Sequence, residues 1–274
     1  MEGGADALAR STASAWELVA AKYASEVEAD VALLRGGGTS LLPVELSLLA
    51  PLLRAGGRAV HLQCSHGLDA LSLWRLGATE VVGLDASARM LALAARKAEL
   101  LGAPASWVQA DVLAPPARLA GTADLLYTGK GALPWVRDIE RWAAVVAWLL
   151  APGGRAFIFE GHPLNWVLDP SAADVRLRAG ASYFDSTPRA NDDFPGLFLA
   201  GLAGLAEPAG QTPTAWEHQW TLGDVVSALI AAGLECEHLR EHPEHFWPQF
   251  PAAPPADLAR LPHTYSLLVR RRAT

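Results

Sequence analysis

Residues 60–87 read VHLQCSHGLDALSLWRLGATEVVGLDAS, and the fold is decided there. An apolar run from Val60 ends in a turn containing Gly67, a helical stretch follows, and a second apolar run closes on Asp85. An acid at the end of a second parallel strand is placed to accept hydrogen bonds from the two hydroxyls of a ribose. The turn ahead of the helix offers backbone N–H groups to an anionic group. Together they describe a site for a nucleoside cofactor.

The pattern continues outward on both sides. Strands are expected at 59–63, 80–84, 106–109, 124–128 and 155–160, with helices at 68–76, 87–101 and 138–150 between them. The connection at 113–121 contains proline and carries at most a short helix. Strands alternating with helices predict a doubly wound, Rossmann-like α/β sheet, mostly parallel, with one antiparallel strand near the C-terminus. Upstream, residues 6–34 have apolar positions at helical spacing, and Pro43 opens a short helix over 43–53.

After Glu160 the rhythm breaks. Residues 161–219 are rich in Pro, Gly, Asp and aromatics, which predicts an ordered lid. Thr221-Leu-Gly-Asp224 has the hydroxyl and acid of a helix start, and Gly233 is its stop. Strands at 234–240 and 265–270 end the chain. One domain accommodates all of this: a helical N-terminal lid (1–42), a cofactor-binding core (43–160), a substrate-side insertion (161–219), and a closing helix with two strands (220–274).

Composition narrows the function. The 274 residues are 51% hydrophobic and carry a net charge of −7, and the basic run at 270–272 stands alone. That argues against a nucleic-acid partner. Cys64 and Cys236 are far apart and lack ligand spacing, as in a cytoplasmic protein with reduced thiols. No basic-then-apolar segment opens the chain, and the apolar runs at 142–150 and 197–206 are too short to span a bilayer. The second run reads as a lid or interface helix that a homodimer would cover. Pro243 interrupts any helix aligning His238, His242 and His245, so no metal is expected.

From Val44 onward the chain resembles the class I S-adenosylmethionine-dependent methyltransferases. The likeness rests on the first-strand motif, on Asp85, and on Ala110-Asp111-Val112 after the third strand. It rests also on Asp124-Leu-Leu-Tyr-Thr-Gly129 and on Leu150-Ala-Pro-Gly-Gly-Arg155. His61-Leu-Gln-Cys64 and Glu160-Gly-His-Pro163 resemble a bacterial branch acting on small molecules. In the family an acid and three spaced glycines form the first motif; here those positions are His61, Gln63, Ser65 and Gly67.

The resemblance implies S-adenosylmethionine as cofactor and S-adenosylhomocysteine as product. Asp85 would accept from both ribose hydroxyls and Asp111 from the adenine amino group, with Ala86, Ala110 and Val112 beside them. The backbone of Gln63, Cys64, Ser65 and Gly67 would surround the methionine portion, where His66 either approaches the carboxylate or caps the helix. Thr128 stands where the transferring methyl is contacted. Tyr23 and Trp16 would close over the cofactor, although packing alone explains both. His61 reads as a satisfied core histidine and Lys130 as a surface lysine.

The methyl of a sulfonium is already activated, so the protein has to align the acceptor and exclude water. A general base helps if the acceptor is a hydroxyl or a protonated nitrogen. His162 and Glu160 are the favoured candidates, ahead of His218 and His242. The expected acceptor is an oxygen or nitrogen of a small aromatic or natural-product-like molecule. Two other readings remain open: a nicotinamide-dependent oxidoreductase, which needs G-x-G-x-x-G after the first strand, and a non-catalytic cofactor-binding relative serving as a partner protein.

Overall fold

Val60, Leu62, Val82 and Leu84 are wholly buried, as strands covered on both faces require. The computed structural model describes residues 2–199 and 212–273. Strands β1 (Arg58–Leu62), β2 (Glu80–Asp85), β3 (Ala105–Gln109), β4 (Ala123–Gly129) and β5 (Leu150–Gly161) pair in parallel, in the order β3-β2-β1-β4-β5. Two short strands, β6 (Arg189–Asn191) and β7 (Ala215–Glu217), form a separate antiparallel pair. Strands β8 (Leu234–His242) and β9 (Thr264–Arg271) complete the large sheet, with β9 antiparallel between β5 and β8. Strand order reverses between β1 and β4, and the crevice beyond the strands' carboxyl ends opens there.

The helices are α1 (Glu2–Ala24), α2 (Val27–Arg35), α3 (Pro43–Leu53), α4 (Leu68–Arg75), α5 (Ala88–Leu101), α6 (Ile139–Leu149), α7 (Gly196–Leu199), α8 (Leu222–Ala231) and α9 (Pro255–Leu258). Their starts follow from local chemistry. Ser87 accepts the Met90 N–H, Asp138 accepts the Arg141 N–H, and Thr221 and Asp224 cap each other reciprocally. On one face of the sheet, Trp142, Val146, Val225 and Leu229 pack on Val60, Leu62 and Ile158. On the other, Leu49, Leu53 and Leu73 pack on Ala59, Val81 and Phe157. Each fully buried Leu or Phe contributes about 1.5–3 kcal/mol, so these two layers hold the sheet.

The N-terminal helical pattern is two helices, broken at Ser25 and Glu26. Two expectations need adjustment. The Pro152-Gly153-Gly154 turn is a bulge inside β5, whose pairing with β4 begins at Leu150 and resumes at Arg155. The insertion contains the β6–β7 pair and packs against α1: the Trp216 N–H donates to Thr12 at 2.9 Å, and Ser11 Oγ donates to the Thr214 carbonyl. The apolar run at 197–206 lies largely outside the described residues. No helix among the described residues is long and apolar enough to cross a membrane.

Candidate functional site

A cavity of about 900 Å³ runs along the carboxyl ends of β1, β2, β3 and β4. Its floor is the turn after β1. Gln63 and Ser65 stand at φ of 53° and 47°, and Gly67 at 79°. These are the positions where the resembling family has glycines, and the backbone keeps glycine's left-handed conformation although two of the residues are not glycine. Gly67 is irreplaceable on packing grounds: a Cβ there would lie 2.5 Å from Ala94 Cβ and 2.8 Å from the Trp107 ring.

Asp85 ends β2 beside this turn. One carboxylate oxygen accepts the Ser65 N–H at 2.8 Å and the other accepts the Ser87 N–H at 2.9 Å. Burial pushes its carboxyl above the usual range, against the pull of those donors. The Ala86 N–H is a third donor to it, and the carboxylate retains acceptor capacity for a further donor. Asp111, after β3, accepts the Leu113 N–H at 2.9 Å and pairs with Arg137 at 2.8 Å.

The roof is α1. Arg137 reaches Asp6 at 3.5 Å, Glu17 accepts the Ala88 N–H at the start of α5, and Tyr23 stacks on His66 at 4.1 Å between ring centroids. Trp16 meets Trp135 edge-on at 5.6 Å and Phe194 at 4.7 Å, so the insertion supports the roof from behind. Among the described residues of 161–219 none lines the cavity. Its other aromatic wall comes from Phe246 and Trp247, after β8.

A charged cluster that sequence reasoning missed lies at the β4 end. Lys130, expected on the surface, is only 18% exposed, and its Nζ donates to Asp69 at 2.9 Å and to the Ser40 carbonyl at 2.9 Å. Glu45 stands 3.4 Å from it and accepts the Tyr127 hydroxyl at 2.6 Å. Burial opposes the charge on Lys130, yet the Asp69 and Glu45 carboxylates hold its ammonium above the usual range. Asp69 lines this end of the cavity beside Lys130, whereas Glu45 lies behind them, wholly buried, where burial pushes its carboxyl above the usual range. The available signal was the pair of glycines flanking Lys130, which itself stands at φ 57°. His61 lines the cavity and is not satisfied: its Nδ1 is buried without a partner, and burial drives its pKa down to about 4.

The expected site residues divide. Tyr23, Gln63, Cys64, Ser65, Asp85, Ala86, Ala110, Asp111 and Val112 line the one cavity. Gly67 shapes its floor from beneath, and Thr128 is fully buried off the lining, with its hydroxyl unpartnered. The general-base candidates are placed elsewhere. Glu160 is buried behind the cavity, where its carboxylate accepts the N–H groups of Gly131, Ala132 and Leu133 at 2.7 to 3.0 Å. It positions the loop after β4 and does not face the crevice. Burial raises its pKa to about 7, against those N–H donors. His162 pairs with Glu241 at 2.8 Å and accepts the Leu164 N–H, because the chain turns away from the crevice immediately after β5. His218 stacks on Trp220, and His242 bonds Ser266. None of these four side chains lines the cavity.

Comparison with known proteins agrees with this geometry. Residues 59–154 match the family model described as a methyltransferase domain. No protein of curated function matches the chain in sequence. The fold is that of the S-adenosylmethionine-dependent methyltransferases. A methyltransferase of that kind from Mesorhizobium loti superposes with a TM-score of 0.59 at 24% identity, over 83% of this chain and 97% of its own. A protein from Listeria monocytogenes described as an S-adenosylmethionine-dependent methyltransferase gives 0.59 at 17% identity, over 83% and 98%. Geranyl diphosphate C-methyltransferase from Streptomyces coelicolor, solved with S-adenosylhomocysteine, gives 0.54 at 13% identity, over 83% and 75%.

Proposed function

We propose that this protein transfers a methyl group from S-adenosylmethionine to an oxygen or nitrogen of a small, aromatic or natural-product-like acceptor. The observation that carries the reading is the Asp85 carboxylate. It ends β2 on the lining of a cavity large enough for a nucleoside and a second small molecule, with acceptor capacity left on the carboxylate. The residues present fit the cofactor. Asp85 suits the ribose hydroxyls, Asp111 with Ala86, Ala110 and Val112 suits the adenine, and the turn from Gln63 to Gly67 suits the methionine portion, with Tyr23 above it.

When bound, the cofactor supplies a methyl group already activated on a sulfonium. The chain's own residues bind and shield. Lys130 and Asp69 close one end of the cavity as an ion pair. Phe246, Trp247 and Trp135 give an apolar wall for a flat acceptor. The α1 roof excludes water. Alignment of the acceptor is the protein's main contribution, since the side chains first considered as bases do not face the cavity. The net charge of −7 favours a small molecule over nucleic acid as the partner.

The test is to incubate the protein with methyl-labelled S-adenosylmethionine and a panel of phenols, aromatic amines and hydroxylated heterocycles, and to follow label into the acceptor. Transfer to at least one oxygen or nitrogen acceptor, lost in Asp85→Asn, supports the assignment. Binding of the nucleoside without transfer to any panel member would count against the oxygen or nitrogen acceptor class.

A further inference from the structure

The connection from β8 to β9 is pinned on both sides of Trp247. The His263 N–H donates to the His242 carbonyl at 2.8 Å, and Thr264 Oγ1 donates to the Glu244 carbonyl at 2.9 Å. His245 stacks on His263 with ring centroids 3.7 Å apart. Phe246 meets Phe159 of β5 at 6.1 Å, and Phe250 is buried in a cluster with Leu168 and Ala253. Trp247 stands among these fixed residues and is nevertheless 48% exposed, on the lining of the cavity.

Gly131 is the seat of that indole. A Cβ at this position would lie 2.9 Å from Trp247 Cη2 and 3.7 Å from Cζ3, so a larger residue would displace the ring. Glu160 fixes the seat in turn, accepting the Gly131 N–H at 2.9 Å. Phe246 braces the indole from the side, at 4.2 Å between centroids and an interplanar angle of 69°. The ring is thereby held where the cavity passes the end of β4, whose last residue, Gly129, lines it too. An indole fixed in place and left half-exposed on a cavity wall offers a π-face to a ligand, and such a face favours a flat ring over a puckered one. We infer that Trp247 is the specificity-determining residue of the acceptor site: an aromatic acceptor stacks on its indole at the β4 end, and saturated molecules of the same size are rejected. The inference rests on the methyl-transfer reading above and adds to it that the acceptor carries a planar ring.

The test titrates the S-adenosylhomocysteine complex, by ligand-observed NMR, with planar probes and their saturated counterparts: phenol and cyclohexanol, naphthol and decahydronaphthol, indole and octahydroindole. At least one planar probe should bind, about threefold to tenfold more tightly than its counterpart. Trp247→Leu keeps an apolar side chain but removes the π-face, and should abolish that preference; Trp247→Phe should retain most of it. Neither variant should change the affinity for S-adenosylhomocysteine by more than about twofold. Equal binding of planar and saturated probes by the wild type, binding of no planar probe, or a preference that survives Trp247→Leu overturns the inference alone. A wild type that does not bind S-adenosylhomocysteine overturns the cofactor reading instead, and the same titration without the nucleoside then decides the stacking site by itself.

Discussion

Asp85 holds Ser65: a carboxylate oxygen at the end of β2 accepts the backbone N–H of the residue that bends the chain after β1, at 2.8 Å. The other oxygen accepts the Ser87 N–H ahead of α5. One side chain thus ties together both turns that floor the cavity. Asp85→Ala leaves two N–H groups without their charged partner, which costs about 3 kcal/mol. Urea unfolding should show that loss, and an unchanged midpoint would mean the clamp is energetically idle.

The floor's backbone makes opposite predictions at neighbouring positions. Gly67→Ala places a methyl against Ala94 and Trp107 at a φ of +79°, and should destabilise by more than about 2 kcal/mol. Ser65 already stands at φ 47°, where a side chain is costly. Ser65→Gly should therefore be neutral or stabilising by up to about 1 kcal/mol. Thermal melts of the two variants decide this, and a large loss from Ser65→Gly would show that its hydroxyl matters more than its backbone.

His61 makes the protein acid-sensitive. Burial holds its pKa at about 4, below the ordinary value of 6.5. The unfolded chain therefore takes up this proton first as pH falls. The stability is complete above pH 6.5 and is lost as pH drops through the window toward 4, by at most about 3 kcal/mol. The measurement is stability against pH for wild type and His61→Gln. The variant's profile should be flatter in that window, and parallel profiles would contradict the assignment.

The sheet was legible because its strands are buried on both faces, so Val60, Leu62, Val82 and Leu84 form unbroken apolar runs bounded by Gly67 and Asp85. Helix starts at Ser87 and Thr221 were legible because capping is local. The Lys130 cluster was not, because its partners Asp69, Glu45 and Ser40 lie 61 or more residues away and meet only when α3 and α4 pack beside β4. His162 and Glu160 looked catalytic from their place at the end of a parallel strand. What removed them was tertiary: Glu241 on β8 pairs with His162, and the loop after β4 folds its N–H groups onto Glu160. The missing glycines were informative in a different sense, since Gln63 and Ser65 adopt the backbone that glycine would.

The roof should respond to ligand. Outside its apolar stripe, helix α1 is held by Glu17 at α5, by Asp6 at Arg137, by Ser11 at Thr214 and by Thr12 at Trp216 of β7. Saturating S-adenosylhomocysteine should slow amide exchange in α1 by about tenfold or more, while α6, on the far face of the sheet, changes little. Equal exchange in α1 with and without ligand would mean that it does not cover the site.

The most direct measurement is calorimetric titration with S-adenosylhomocysteine, of wild type and of Asp85→Ala at a temperature where both are folded, with NAD as the control ligand. Micromolar binding to wild type that weakens about tenfold or more in the variant, with no response to NAD, is the predicted result. Absence of binding to the folded wild type would contradict the cofactor assignment, and a response to NAD instead would replace it with the nicotinamide reading.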